Sequence, residues 1–172
     1  LKVTGREHLE AISGPVIFAA NHQSHLDTPA ILTALPSRLR SRIAPAMLKE
    51  FFDGYFQPER HTILKRIADT MMYFAASLFF NGFPLPQEGT ATRQAMRQIG
   101  ELVSNDWSIL IFPEGERTQA GEIKPFFPGA AMAAARLRIP VIPIRLRGLE
   151  QILRTGRAIP KPGAASVSFG PA

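Results

Sequence analysis

Asn21-His22-Gln23-Ser24-His25-Leu26-Asp27 stands between two apolar runs, Pro15-Val16-Ile17-Phe18-Ala19-Ala20 and Pro29-Ala30-Ile31-Leu32. The first run has the β-branched and aromatic content and the length of a buried strand. The second, rich in alanine and leucine, favours helix. The polar heptad therefore falls where a strand gives way to a helix. In open α/β sheets ligands bind there, outside the carboxyl ends of the strands.

His22 and Asp27 are five residues apart. On one continuous helix that spacing leaves their side chains about 140° apart. They meet only if His22 stands in the turn and Asp27 in the first helical turn. A carboxylate beside an imidazole fixes the tautomer and leaves the second ring nitrogen free to take a proton, which is what a general base needs. Ser24-His25-Leu26-Asp27 also fits a helix capping box, so Asp27 can be a cap instead. His22 has no such alternative, because histidine is neither a good cap nor a good apolar filler. His22 and His25 raise the question of metal. No H-E-x-x-H and no cysteine completes a site, so no metal is expected.

The chain has 172 residues, is 45% apolar and 20% charged, and contains no cysteine. This length suits one domain over residues 1–172, with roughly 70% of the unfolded surface buried. The missing cysteines exclude disulfides and thiol chemistry and are compatible with a cytosolic location. The net charge is +6, concentrated in clusters such as Arg38-Leu39-Arg40-Ser41-Arg42 and Arg145-Leu146-Arg147. A basic surface favours anionic partners, here phosphorylated metabolites or an acidic membrane surface. The aromatic-glycine patterns of RNA-binding modules are absent, so nucleic acid is not expected. No apolar run is long enough to span a bilayer and no signal peptide opens the chain. An opening at Leu1 and a close just after Ser166-Val167-Ser168-Phe169 read as a fragment of a longer protein.

Further strands are expected at residues 2–5, 42–46, 108–112, 140–146 and 166–169. Pro45 weakens the second of these. Helices are expected from about Thr28 to Leu35, over 62–80 with a stop at Asn81-Gly82, over 90–103, and over the alanine-rich 129–137. Residues 48–61 form either a helix or an apolar flap. Strands alternating with helices give an α/β class: a single domain with a mostly parallel or mixed central sheet flanked by helices.

The strand ending at Phe112 runs into a second polar loop, Pro113-Glu114-Gly115-Glu116-Arg117-Thr118. Gly115 permits positive φ. Arg117 carries a planar fork that can hold a phosphate, and Glu114 can accept from Arg117 or from a hydroxylated ligand. An ordinary charged turn remains the alternative. No G-x-S-x-G, Walker loop or G-x-G-x-x-G is present. A base, an orienting carboxylate and an anion-binding arginine without a covalent nucleophile point to direct transfer onto a ligand hydroxyl or amine.

Residues 21–27 resemble the N-H-x-S-x-x-D motif of the glycerolipid (lysophosphatidic acid) acyltransferase family. Phe112-Pro113-Glu114-Gly115-Glu116-Arg117-Thr118 resembles its F-P-E-G-x-R-[ST] block, and Val141-Ile142-Pro143-Ile144 its late apolar-proline block, in the same order. The resemblance implies a glycerol-3-phosphate acyltransferase-like fold. It also implies acyl transfer from a thioester of coenzyme A or acyl carrier protein to the free hydroxyl of a lysophospholipid such as 1-acyl-glycerol-3-phosphate. His22 would be the base and Asp27 its support. Glu114, Gly115 and Arg117 would bind the acceptor's glycerol phosphate, with Asn21, Ser24 and Thr118 also in the substrate site and Pro143 near the donor. No cofactor is implied beyond that co-substrate. The location implied is the cytoplasmic side of a membrane, peripheral, with attachment that can involve segments outside the fragment.

One departure stands out. The family's G-x-x-F-x-x-R block has its nearest counterpart in residues 81–87, where Gln87 replaces the arginine, and Arg93 is the candidate substitute. This leaves open a different lysolipid or hydroxylated acceptor, or a non-catalytic lipid- or acyl-carrier-binding module. Phe51, Phe52, Phe56, Phe79, Phe80 and Phe83 can line an acyl channel, touch lipid or fill the core.

Overall fold

A computed structural model describes residues 1–48, 59, 62–85, 91–118, 124–153 and 159–172. Seven strands form one sheet: β1 (Lys2–Thr4), β2 (Ile17–Ala20), β3 (Ile43–Leu48), β4 (Phe83–Leu85), β5 (Ser108–Ile111), β6 (Val141–Arg147) and β7 (Ser166–Phe169). Their order is β1-β7-β6-β2-β5-β3-β4. Every pairing is parallel except β6 with β7. The helices are α1 (Asp27–Ala34), α2 (Ser37–Arg40), α3 (Ile63–Phe80), α4 (Ala91–Ser104), α5 (Gly129–Leu137) and α6 (Leu149–Ile152). The expected class, a mostly parallel sheet flanked by helices, is the class observed.

Alternation along the strands divides the core in two. Phe18, Leu110, Ile142, Ile144, Leu146, Val167 and Phe169 point to one face, where they meet Ile31, Ala34 and Leu35 of α1 and Leu39 of α2. Ile17, Ala44, Ile109 and Ile111 point to the other, against Ile99 of α4 and Ala130 and Ala133 of α5. The alanines of α5 let that helix approach closely. Phe83 belongs to this second core, so it fills the interior and is not a lipid or channel residue.

Two of the strand prolines, Pro45 and Pro143, are tolerated where ladders change hands. β3 pairs with β5 through Pro45 and with β4 from Ala46 onward, so the missing N–H falls at the handover. Pro143 turns its carbonyl to the Gly170 N–H, 2.8 Å away. Its absent N–H therefore lies on the same side, at the end of the β6–β7 ladder. Helix ends follow local chemistry. Leu35 becomes extended ahead of Pro36, as pre-proline sterics require. Asn81 closes α3 with a left-handed φ of 53°.

β4 and α6 escaped the sequence reading, and so did the 3-10 turn Arg6–Leu9 and α2. Part of the basic cluster at 38–42 holds the last two in place. Arg38 donates to the carbonyls of Ile12 and Leu9, and Arg42 to that of Asn105. Those charges are engaged in the fold. Phe51, Phe52 and Phe56 lie outside the described residues, as do the side chains of Phe79 and Phe80.

Gly148 ends β6 at φ 84°, and a Cβ there would lie 2.3 Å from the Ala164 carbonyl oxygen. Gly148→Ala is expected to cost about 2 kcal/mol or more from left-handed strain and this clash, read as a lowered urea midpoint.

Candidate active site

Two loops meet at the carboxyl ends of adjacent parallel strands, one following β2 and the other following β5. In the first loop, Asp27 reaches back out of the opening turn of α1. Its Oδ2 lies 2.7 Å from His22 Nδ1 and accepts the backbone N–H groups of Gln23 and Ser24 at 2.6 and 2.9 Å. Asp27 is fully buried. It is therefore both half of a capping box and the partner of the histidine. The other half is altered, because the Ser24 hydroxyl accepts from Leu26 N instead of from Asp27 N.

An acceptor carboxylate on Nδ1 assigns the proton to that nitrogen and leaves Nε2 with its lone pair. Among the described residues no protein group bonds Nε2, and the His22 side chain is 23% exposed. The imidazole lies on the Phe112 ring with centroids 4.2 Å apart and planes 25° apart. Its plane is thus fixed by a stack and its rotation by a hydrogen bond.

The second loop is tied to the first through the backbone. Glu114 is 2% exposed. Its Oε1 accepts His22 N–H at 2.9 Å, and its Oε2 accepts Lys124 N–H at 3.0 Å. Thr118 donates to the His22 carbonyl from both its N–H and its hydroxyl. Gly115 supplies the turn with a φ of 73°. Asn21 clamps the backbone N–H and carbonyl of Leu146 in β6, and the Ser24 hydroxyl donates to the Leu153 carbonyl. Glu114, Asn21, Ser24 and Thr118 were expected to touch substrate. In the structure their polar atoms hold the loops, and all four are buried. Residue type had signalled polarity without showing which way it faced.

Arg117 and His25 form the rim. The Arg117 guanidinium lies 2.9 and 2.8 Å from the two ring nitrogens of His25. Burial, then Arg117, then His22 lower the His25 pKa from 6.5, against an opposing pull from Asp27. His25, first considered only as a metal ligand, is thus the neighbour of the arginine. Among the described residues no cluster of metal-ligating side chains occurs. Arg93 is exposed on α4. Gln87 lies outside the described residues. Pro143 is exposed and in register with Ala19, three residues before His22. A cleft of about 240 Å³ opens on the opposite flank of the loop, lined by Asn21, Gln23, Arg145, Arg147, Glu150 and Gln151 among others.

Comparison with known proteins adds the following. The family model described as Acyltransferase matches residues 1–147. A 1-acyl-sn-glycerol-3-phosphate acyltransferase of Brassica napus, BAT2, chloroplastic, is 27% identical over 160 residues, covering 90% of this chain and 39% of that protein. The human 1-acyl-sn-glycerol-3-phosphate acyltransferase beta is 25% identical over 154 residues, covering 89% and 49%. The chain thus spans half or less of either relative. The crystal structure of the 1-acyl-sn-glycerophosphate acyltransferase PlsC from Thermotoga maritima superposes with a TM-score of 0.68 at 24% identity, over 99% of this chain and 59% of that one. This likeness shows the fold.

Glu114→Ala orphans two backbone N–H donors, each worth about 1–3 kcal/mol when buried. A loss of about 2 kcal/mol or more is expected in urea denaturation, whereas a residue that only bound ligand would leave stability intact. The lowered pKa of His25 sets the sign of a pH effect. The unfolded chain takes up this proton near 6.5 and the folded chain only at lower pH, so stability falls as pH drops through that window. His25→Asn is expected to remove that component of the fall, measured by urea denaturation across a pH series.

Proposed function

The chain belongs to the acyltransferase family, and from that premise we propose that it moves an acyl group from a thioester to the free hydroxyl of a lysophospholipid of the 1-acyl-glycerol-3-phosphate type. The observation that carries the reading is the dyad. His22 Nε2 stands open at the carboxyl end of β2 while Nδ1 is held at 2.7 Å by a buried carboxylate.

The chemistry follows from that geometry. Nε2 takes the proton of the acceptor hydroxyl as its oxygen attacks the thioester carbonyl. The carbon–sulfur bond breaks in the collapse of the tetrahedral adduct, and the thiolate leaves with the proton returned by His22. Acyl group, proton and electron pair all balance without an enzyme-bound ester. Asp27 stabilises the imidazolium while it exists and keeps the ring in its productive tautomer. Arg117, on the rim with its fork presented beside His25, suits the phosphate of the acceptor. The donor is a thioester of coenzyme A or acyl carrier protein, and the reaction is placed at the surface of a membrane, with the protein peripheral to it.

A second reading keeps the chemistry and changes the acceptor to another hydroxylated lysolipid. Gln87, uncharged where an arginine is expected, favours it. A binding module without catalysis would need no base, and the intact dyad counts against it.

The test is acyl transfer from labelled acyl thioesters to a panel of lysolipids. His22→Ala is expected to lower the rate about 10²–10⁴-fold with lysolipid binding retained. Asp27→Asn is expected to lower kcat with little change in acceptor KM. Equal rates in parent and His22→Ala overturn the reading.

A further inference from the structure

Among the described residues, the exposed large apolar side chains gather mainly in two places. Ile63, Leu64, Ile67, Met71 and Phe74 on α3 are 71, 83, 53, 69 and 48% exposed. At about 100° per residue these five positions fall within one arc of about 100°. The second place is the loop leading into α5. There Phe126 and Phe127, 60 and 61% exposed, sit between Pro125 and Pro128. This loop is fixed to the active site by its backbone: Phe127 N–H donates to the Pro113 carbonyl at 2.8 Å, and Lys124 N–H donates to Glu114.

Each apolar group is bordered by cations. Arg66 stands beside the stripe of α3, while Lys65 lies on the helix's far side, paired to Asp69. Lys124 precedes the two phenylalanines, and Arg117 lies in the loop to which they are pinned. The chain as a whole carries +6. An apolar arc flanked by basic residues is the pattern of a helix lying in a membrane interface. Among the described residues no helix is long and apolar enough to cross a membrane, and α3 carries Lys65, Arg66 and Asp69 within its first two turns.

We propose that the apolar stripe of α3 and the Phe126–Phe127 loop insert together into the headgroup–acyl boundary of an anionic bilayer. A bilayer is favoured over a protein partner because the two apolar groups come from separate elements. A fluid surface receives both, and its anionic headgroups meet the basic borders. The proposal rests on the acyltransferase reading for its purpose. The loop that bears Phe126 and Phe127 shares Glu114 with the backbone of His22, so insertion holds the base at the depth where a lysolipid hydroxyl lies.

The experiment is co-sedimentation with vesicles of phosphatidylcholine containing phosphatidylglycerol, beside phosphatidylcholine alone, with no donor or acceptor present. The parent is expected to partition onto the anionic vesicles and to release at high salt. Leu64→Ser/Met71→Ser and Phe126→Ser/Phe127→Ser are each expected to lower the partition coefficient about tenfold or more. Unchanged thermal melts would show that the fold survives both. No binding by the parent, or full binding by either variant, overturns the proposal. So does a dimer in sedimentation velocity that the α3 variant abolishes, because the stripe would then belong to a second copy. Intact partition with no acyl transfer from any thioester would overturn the proposed function and leave the docking surface standing.

Discussion

One carboxylate oxygen holds the site together. Asp27 Oδ2 receives His22 Nδ1 and the backbone N–H groups of Gln23 and Ser24 inside a fully buried pocket. Three donors on one acceptor determine the path of the chain from β2 into α1. The turn cannot relax without orphaning buried N–H groups, and the imidazole cannot rotate without losing its partner. The requirement of the fold and that of the proposed base are met by the same atom. This is why a choice between cap and catalyst does not arise for Asp27.

The same economy appears at Glu114, Thr118 and Asn21. Each spends its polar atoms on backbone groups of another loop or strand: Glu114 on His22 and Lys124, Thr118 on His22, Asn21 on Leu146. The loops after β2 and β5 and the end of β6 become one unit. Strand order makes this possible, since β5 and β6 are the two parallel neighbours of β2. The dyad is therefore supported from both sides, by β5, which is buried on both faces, and by β6, whose Ile142, Ile144 and Leu146 lie in the first core.

The sheet and the dyad were legible because their signals are local. A β-branched run, a change of period and a five-residue spacing all lie within one short window. The direction of a buried polar side chain is not local. Glu114 and Thr118 reach across 92 and 96 residues of sequence to the backbone of His22. No composition of the Pro113–Thr118 loop distinguishes that from reaching outward to a phosphate. Pro45 weakened the expectation of β3 for a related reason. Pro45 lowers strand propensity on its own, but the partner on each side of β3 changes at that residue. The short helices α2 and α6 have too few turns to show a period.

The electrostatics of the dyad follow from what Asp27 lacks. Its Oδ1 is buried with no hydrogen-bond partner among the described residues. Among the described residues, the carboxylate's hydrogen-bond partners are backbone N–H dipoles and the imidazole. Stabilisation of that negative charge is thus incomplete while the imidazole is neutral. In the proposed reaction His22 takes a proton at Nε2, and a full positive charge then appears 2.7 Å from Oδ2 with no movement of either group. The interaction is stronger at the moment of proton transfer than before it, and differential stabilisation of that kind is what lowers a barrier. Phe112 contributes to the same end. Stacked on the imidazole, it keeps water from one face of the ring and leaves Nε2 as the open position. The arrangement is set before substrate arrives, so reorganisation at the reacting centre is confined to the substrate.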